Sequence, residues 1–140
     1  MIKTLQTLLV YPFIKYIYSP ILQISYVRQF KELNPYINYV ICSNHVSATD
    51  PFIATIGLGY KNLFKISPVR YMAHNKFIDA PIVGPVIRAF GSFPAKPHAR
   101  HAYGLDAALS FLDKEQPVYI FPEGKVVKRE GEPITYRRGV

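Results

Sequence analysis

Hydrophobic positions along the chain fall into short runs and helical stripes, with no long apolar segment. Residues 38–43 (NYVICS) form a β-branched, apolar run suited to a buried strand. Residues 69–73 (VRYMA), 91–95 (GSFPA) and 118–121 (VYIF) predict three more strands, and the partial alternation of 21–30 (ILQISYVRQF) a further one. Helical patterns lie between them. Asp50-Pro51 reads as a helix start, because Asp can cap and Pro fits the first helical position; that helix runs to about Gly57 or Gly59. Ile82, Val83, Val86, Ile87 and Phe90 share one helical face within 79–90, with Pro81 in the first turn and a kink expected at Gly84-Pro85. Leu105, Ala108, Leu109 and Leu112 mark an amphipathic helix ended by Pro117. Strands alternating with helices predict an α/β fold, a mostly parallel sheet flanked by helices. In such sheets, sites lie beyond the carboxyl ends of the strands. NHVSATD (44–50) and FPEG (121–124), both just after strands, therefore fall on the functional edge.

The first 27 residues contain two lysines and no acid. Lys15, Pro12 and Pro20 interrupt the apolar run, which falls short of the roughly 20 residues a membrane span needs. No small-residue cleavage site follows it. Tyr11, Tyr16 and Tyr18 suit a bilayer interface. Residues 1–24 thus predict one or two short helices lying in the interface, aided by Lys3 and Lys15. The competing reading is a terminal helix packed on the core of its own domain, which would occupy 25–140.

At 140 residues the chain is one domain or part of one. Its 49% apolar and 19% charged residues exclude wholesale disorder, and twelve prolines argue against a helical bundle. The single cysteine, Cys42, excludes an internal disulfide and a cysteine-based zinc site; it is expected as a buried thiol within its strand, in a reducing compartment. A net charge of +8 and eleven tyrosines suit an anionic surface, either nucleic acid or lipid. With no helix-turn-helix, zinc finger or RNP-like motif, nucleic acid is the weaker choice. His74, His98 and His101 lack ligand spacing, so no metal is expected. The tail from Lys125 to Val140 is basic and adds no closing helix or strand, which predicts a C-terminally truncated fragment.

His45 and Asp50 form the candidate chemical pair. On a regular helix five residues subtend about 140°, so the two would not share a face. They meet only if His45 lies in the loop after the strand and Asp50 opens the helix. A carboxylate holding an imidazole fixes its tautomer and stabilises its cation, as a general base requires. The plainer alternative makes Asp50 an N-cap and His45 a polar loop residue. Ser47 lacks the Gly-x-Ser-x-Gly elbow of a nucleophile.

NHVSATD resembles the N-H-x-S-x-x-D form of the H-x4-D motif of glycerolipid acyltransferases. YMAHNKFIDAPIVGPVIRAFGSFPAK resembles their second block, VYIFPEG their third, and YRRGV the opening of their last. The resemblance spans 25–140 and is greatest to the lysophosphatidate (1-acylglycerol-3-phosphate) acyltransferases. It implies a glycerol-3-phosphate acyltransferase-like sheet in a monotopic membrane protein on the cytoplasmic face. It further implies that His45 removes the proton of an acceptor hydroxyl, with Asp50 orienting His45. The freed oxygen then attacks acyl-CoA or acyl-carrier protein, with no other cofactor. Asn44, Ser47, Gly91, Phe93, Pro94, Lys96, Arg100, Phe121, Pro122, Glu123 and Gly124 become substrate-binding candidates. Among these, Glu123 and Gly124 would meet the glycerol portion, and Lys96 or Arg100 the phosphate of a lysolipid acceptor. The chain departs from the family at Pro97, where Arg is usual, and at Lys125-Val126-Val127, where Thr-Arg-Ser is usual. A non-catalytic, basic lipid-binding module that keeps the fold is the alternative reading.

Overall fold

The computed structural model describes residues 1–27, 32–95 and 103–124. Four strands build one parallel sheet: β1 (Val40–Cys42), β2 (Arg70–Ala73), β3 (Ser92–Pro94) and β4 (Val118–Ile120), in the order β1-β4-β2-β3. β4 returns between β1 and β2, aligning Ile41 with Tyr119 and Tyr119 with Tyr71. On the far side Met72 of β2 pairs with Phe93 of β3. The helices are α1 (residues 2–21), α2 (Asp50–Gly57), α3 (Tyr60–Ile66), α4 (Asn75–Ile78), α5 (Val83–Ala89) and α6 (Tyr103–Leu112).

Strand alternation divides the apolar residues between two faces. Ile41, Tyr71 and Tyr119 join Tyr11 and Ile14 of α1, Ile56 of α2, and Leu63 and Ile66 of α3 in one cluster. Met72, Phe93, Val118 and Ile120 pack against Ala108, Phe111 and Leu112 of α6 in the other. Val40 and Cys42 stand out of step with Ile41, on edge strand β1, and both are exposed. Cys42 is therefore in the strand but is exposed, not the buried thiol expected, since β1 is an edge strand of the sheet.

The helix α1 contains two prolines and survives both. Just before Pro12 and Pro20 the winding widens, so that Tyr11 N–H donates to the Gln6 carbonyl and Ser19 N–H to the Ile14 carbonyl, each five residues back. A proline ring in tight α winding would clash with the carbonyl four residues earlier, and the wider turn relieves that conflict. The helix closes at Gln23, whose φ of 54° lies in the left-handed region. Ile24 N–H returns to the Ser19 carbonyl and Gln23 N–H to the Pro20 carbonyl, a Schellman closure. The strand expected over 21–30 is therefore absent from its described part: residues 19–24 serve the helix end, and 28–31 lie outside the described residues.

α2 covers the expected span. α3 was not expected, because seven residues hold too few apolar repeats to stand out; its buried residues are Asn62, Leu63 and Ile66. Of the helix expected over 79–90, only Val83–Ala89 is helical, as α5; α4 ends before it at Ile78, and Pro81 lies in the turn between them rather than in a helical turn. Gly84 permits their close approach, since a Cβ there would overlap the Ile78 carbonyl oxygen.

Candidate active site

Strands β1 and β4 are hydrogen-bonded neighbours, so their trailing loops meet although Glu123 follows His45 by 78 residues. β1 ends at Cys42, and His45 occupies the loop before α2, which Asp50 opens. Asp50 does not cap the helix: the cap position is Thr49. Its carboxylate turns back over the loop instead. Oδ2 accepts the N–H groups of Val46 and Ser47, each at 2.6 Å, and meets Nδ1 of His45 at 3.3 Å. The two side chains are 18% and 13% exposed. An ionised carboxylate only accepts hydrogen bonds, so in the neutral ring this contact favours the tautomer with the proton on Nδ1 and the lone pair on Nε2. Nε2 has no partner among the described residues.

The end of β4 grips the same loop from the other side. Tyr119, Phe121 and Glu123 stand at alternate positions. The Tyr119 hydroxyl meets that of Ser43. The Phe121 ring stacks on the His45 imidazole, with centroids 3.7 Å apart and planes 13° from parallel. Glu123, only 2% exposed, accepts the His45 backbone N–H at 2.9 Å. Burial, with smaller contributions from the charges of Asp50 and Cys42, pushes the Tyr119 phenol up to about 12 against the pull of its bond to Ser43. Tyr119 thus stays neutral at physiological pH and holds Ser43 as a hydroxyl.

Other candidates are dispersed. Asn44 and Ser47 are exposed beside His45; the Ser47 hydroxyl lies 3.0 Å from that of Thr49. Pro122 and Gly124 form the turn after β4, where Gly124 N–H donates to the Phe121 carbonyl. Pro94 sits at the carboxyl end of β3, three strand spacings from β1, or roughly 14 Å. Two candidates do not join the cluster. Gly91 precedes β3 at the amino edge, with φ 102°, and a Cβ there would come within 2.8 Å of the Val69 carbonyl oxygen and 3.1 Å of the Gln6 amide nitrogen. Gly91 serves the packing of α1 against the sheet. Phe93 is buried against α6 and is a core residue. Lys96, Pro97, Arg100, Lys125 and the YRRGV segment lie outside the described residues.

Sequence reasoning missed Ser43 and Tyr119. The signal was available in the alternation 119, 121, 123, once β4 was known to adjoin β1. It also missed Tyr18, whose hydroxyl lies 3.4 Å from that of Thr49 and brings the end of α1 to the site loop.

A histidine with one nitrogen committed to a carboxylate and the other open can take a proton from a bound hydroxyl. Among the described residues no cluster of three or more His, Cys, Asp or Glu side chains is placed to hold a metal ion. The Acyltransferase family model matches residues 25–140. The chain belongs to the acyltransferase family. Comparison with curated proteins and with solved structures gave no match.

Proposed function

We propose that this acyltransferase moves a fatty acyl group from acyl-CoA or acyl-carrier protein to the free hydroxyl of 1-acylglycerol-3-phosphate or a related lysolipid, making phosphatidate in phospholipid synthesis. The observation that carries the reading is the His45–Asp50 contact at the carboxyl edge of the sheet, within a motif of the H-x4-D kind. Nε2 of His45 takes the acceptor's proton as the acceptor oxygen bonds to the thioester carbonyl carbon. The carbon–sulfur bond then breaks, and the leaving thiolate takes the proton from His45. Asp50 holds Nδ1 throughout. Asn44, Ser47 and the turn from Pro122 to Gly124 border the acceptor, with Pro94 further along the same edge; Lys96 and Arg100, which lie outside the described residues, are the proposed contacts to its phosphate.

The helix α1 supports an amphiphilic substrate. Its inner side buries Gln6, Thr7, Tyr11, Ile14 and Ser19. Its outer side leaves Leu8 64%, Tyr16 70% and Ile17 53% exposed, with Leu9, Phe13 and Ile21 beside them. No helix among the described residues is long and apolar enough to cross a membrane. An apolar outer stripe on a chain of net charge +8 suits lying on an anionic leaflet, as a monotopic protein on the cytoplasmic face. The helix runs from Gln6, beside Val69 and Phe90 at the amino edge, to Tyr18 beside Thr49 at the site. A lysolipid held in the leaflet would meet His45 without leaving the surface.

The test is thiol release from acyl-CoA in the presence of anionic vesicles containing lysophosphatidate. Acceptor-dependent release that His45→Ala abolishes supports the reading. Vesicle binding with no release, from either donor and with any lysolipid, replaces it with the lipid-binding alternative.

A further inference from the structure

The His45 ring is restrained at two points and left free about a third. Glu123 holds the backbone N–H, and Asp50 holds Nδ1 at 3.3 Å, near the long end of hydrogen-bond lengths. The backbone contact leaves the ring torsion free, and the Nδ1 contact, being long, restrains the plane only loosely, because the torsion joining an imidazole to its Cβ has broad, shallow wells. A flat partner is what sets a plane, and one is present.

We propose that Phe121 is a positioning residue for His45. Its ring lies against one imidazole face at 3.7 Å and 13°, and so fixes the plane in which Nε2 points toward the acceptor. Phe121 is itself braced by Tyr119, edge to face at 5.3 Å, and packs on the core cluster beneath the site. The chain of contacts therefore runs from the buried core through Phe121 to the base. The stack has a second consequence during transfer. When Nε2 takes the acceptor's proton, the imidazolium lies over an aromatic face, well inside the ~6 Å at which a ring attracts a cation. An aliphatic side chain of equal bulk supplies neither the plane nor that attraction. Phe121, counted among the substrate contacts by family resemblance, acts instead through His45.

This rests on the acyl-transfer reading, so the test has one arm that does not depend on turnover. Ring protons of a histidine stacked on a phenyl face resonate upfield, and His45→Asn identifies the His45 signals in the full-length protein. Phe121→Leu is expected to abolish the upfield displacement while circular dichroism stays that of the wild type; Phe121→Tyr is expected to keep it. In the thiol-release assay Phe121→Leu is expected to lower kcat about 10-fold, between the scales of an exposed and a desolvated cation–π contact, with KM for lysophosphatidate within about 2-fold. Phe121→Tyr is expected to restore kcat. Wild-type His45 signals with no upfield displacement overturn the stack, whatever the activity. A Phe121→Leu variant that raises KM and leaves kcat unchanged makes Phe121 a substrate contact and overturns the positioning role, as does a Phe121→Tyr variant as slow as Phe121→Leu. An upfield signal in a wild type silent toward every thioester retains the stack and overturns the acyl-transfer reading.

Discussion

Replacing Asp50 separates two jobs that its carboxylate performs on one oxygen. Oδ2 receives the N–H groups of Val46 and Ser47 as well as Nδ1–H of His45. In Asp50→Asn the amide must turn its oxygen to this position, since its NH₂ would there face two backbone donors. The oxygen can then still accept from Nδ1–H, and the tautomer is preserved. What goes is the charge. A hydrogen bond to a charged group contributes roughly 1.5–3 kcal/mol and a neutral one roughly 0.5–1.5. The imidazolium of the transition state thus loses about 1–1.5 kcal/mol, or about 10-fold in rate at 1.36 kcal/mol per decade. In the Ser-His-Asp triad the same change costs about 10⁴, because there the amide fixes the wrong tautomer. Asp50→Ala removes the tautomer control too, and its expected loss is about 10³–10⁴-fold.

Stability follows a different order. Asp50→Ala strips two short backbone bonds from the loop, but Val46 and Ser47 are exposed, so water recovers part of the loss. The expected cost is about 2 kcal/mol, and about 1 kcal/mol for Asp50→Asn. Thiol release with saturating lysophosphatidate measures the first quantity, and urea unfolding followed by circular dichroism measures the second. Equal rate losses in the two variants would refute the argument, for they would mean that Asn does not keep its oxygen between the two N–H groups and His45.

Gln6 is buried at the junction of α1 with the sheet, its amide bonded to the Val69 carbonyl at 2.7 Å, the Phe90 carbonyl at 2.8 Å and the Val69 N–H at 3.0 Å. Gln6→Leu leaves two buried backbone groups and one part-buried carbonyl without their partner and should lower the urea unfolding free energy by about 3 kcal/mol. Gly84→Ala should cost about 1–3 kcal/mol in the same assay, because the overlapped atom is a backbone oxygen that cannot swing aside. Alkaline pH should unfold the chain through its buried phenols. Burial raises Tyr71 above the ordinary tyrosine range and Tyr119 to about 12, against 10.0 when exposed. The folded state therefore keeps these protons longer than the unfolded state, so their contribution is intact below about pH 10 and lost as pH rises toward 12. Tyrosinate absorbance at 295 nm should show a late component coinciding with loss of circular dichroism; its completion near pH 10 in a folded chain would contradict the burial.

Legibility of the sequence tracked how local the determining contacts are. β1, β2, β3, β4, α2 and α6 were readable because each carries its own period and its own Pro or Gly stop. The layout of His45 in a loop and Asp50 at a helix start followed from the five-residue spacing, since only that layout lets them meet. The failures came where distant contacts decide. The apolar alternation of 21–30 reads as a strand until Ser19 and Pro20 are seen to accept the closing bonds of α1. Gly91 and Phe93 sit in the same short motif as Pro94, yet one lies at the opposite edge of the sheet and the other faces α6. Cys42 looks buried by composition, and is exposed on edge strand β1, a place that only the strand order assigns. Strand order, which no local pattern encodes, is what brings Phe121 and Glu123 to His45.

α1 differs from a helix that merely completes a core, because beside Tyr11 and Ile14 it also turns polar side chains inward. Gln6, Thr7 and Ser19 face inward and are satisfied there: Gln6 by the sheet, Thr7 by the Lys3 carbonyl, Ser19 by the Ile14 carbonyl and the Tyr26 hydroxyl. Its two lysines lie over rings of the same chain, Lys3 on Phe64 at 4.3 Å and Lys15 on Tyr26 at 4.2 Å. Amphipathic cations held in this way flank the apolar outer stripe and leave it uninterrupted. Exposed alone, such a stripe is costly in water, whereas on a lipid surface its burial is favourable by about 25 cal/mol per Å². The proposed lipid surface would give the outer side an apolar partner. On that reading Tyr18, near the end of α1 and beside Thr49, would bring the site to the boundary where an acceptor with a lipid tail and a polar hydroxyl lies.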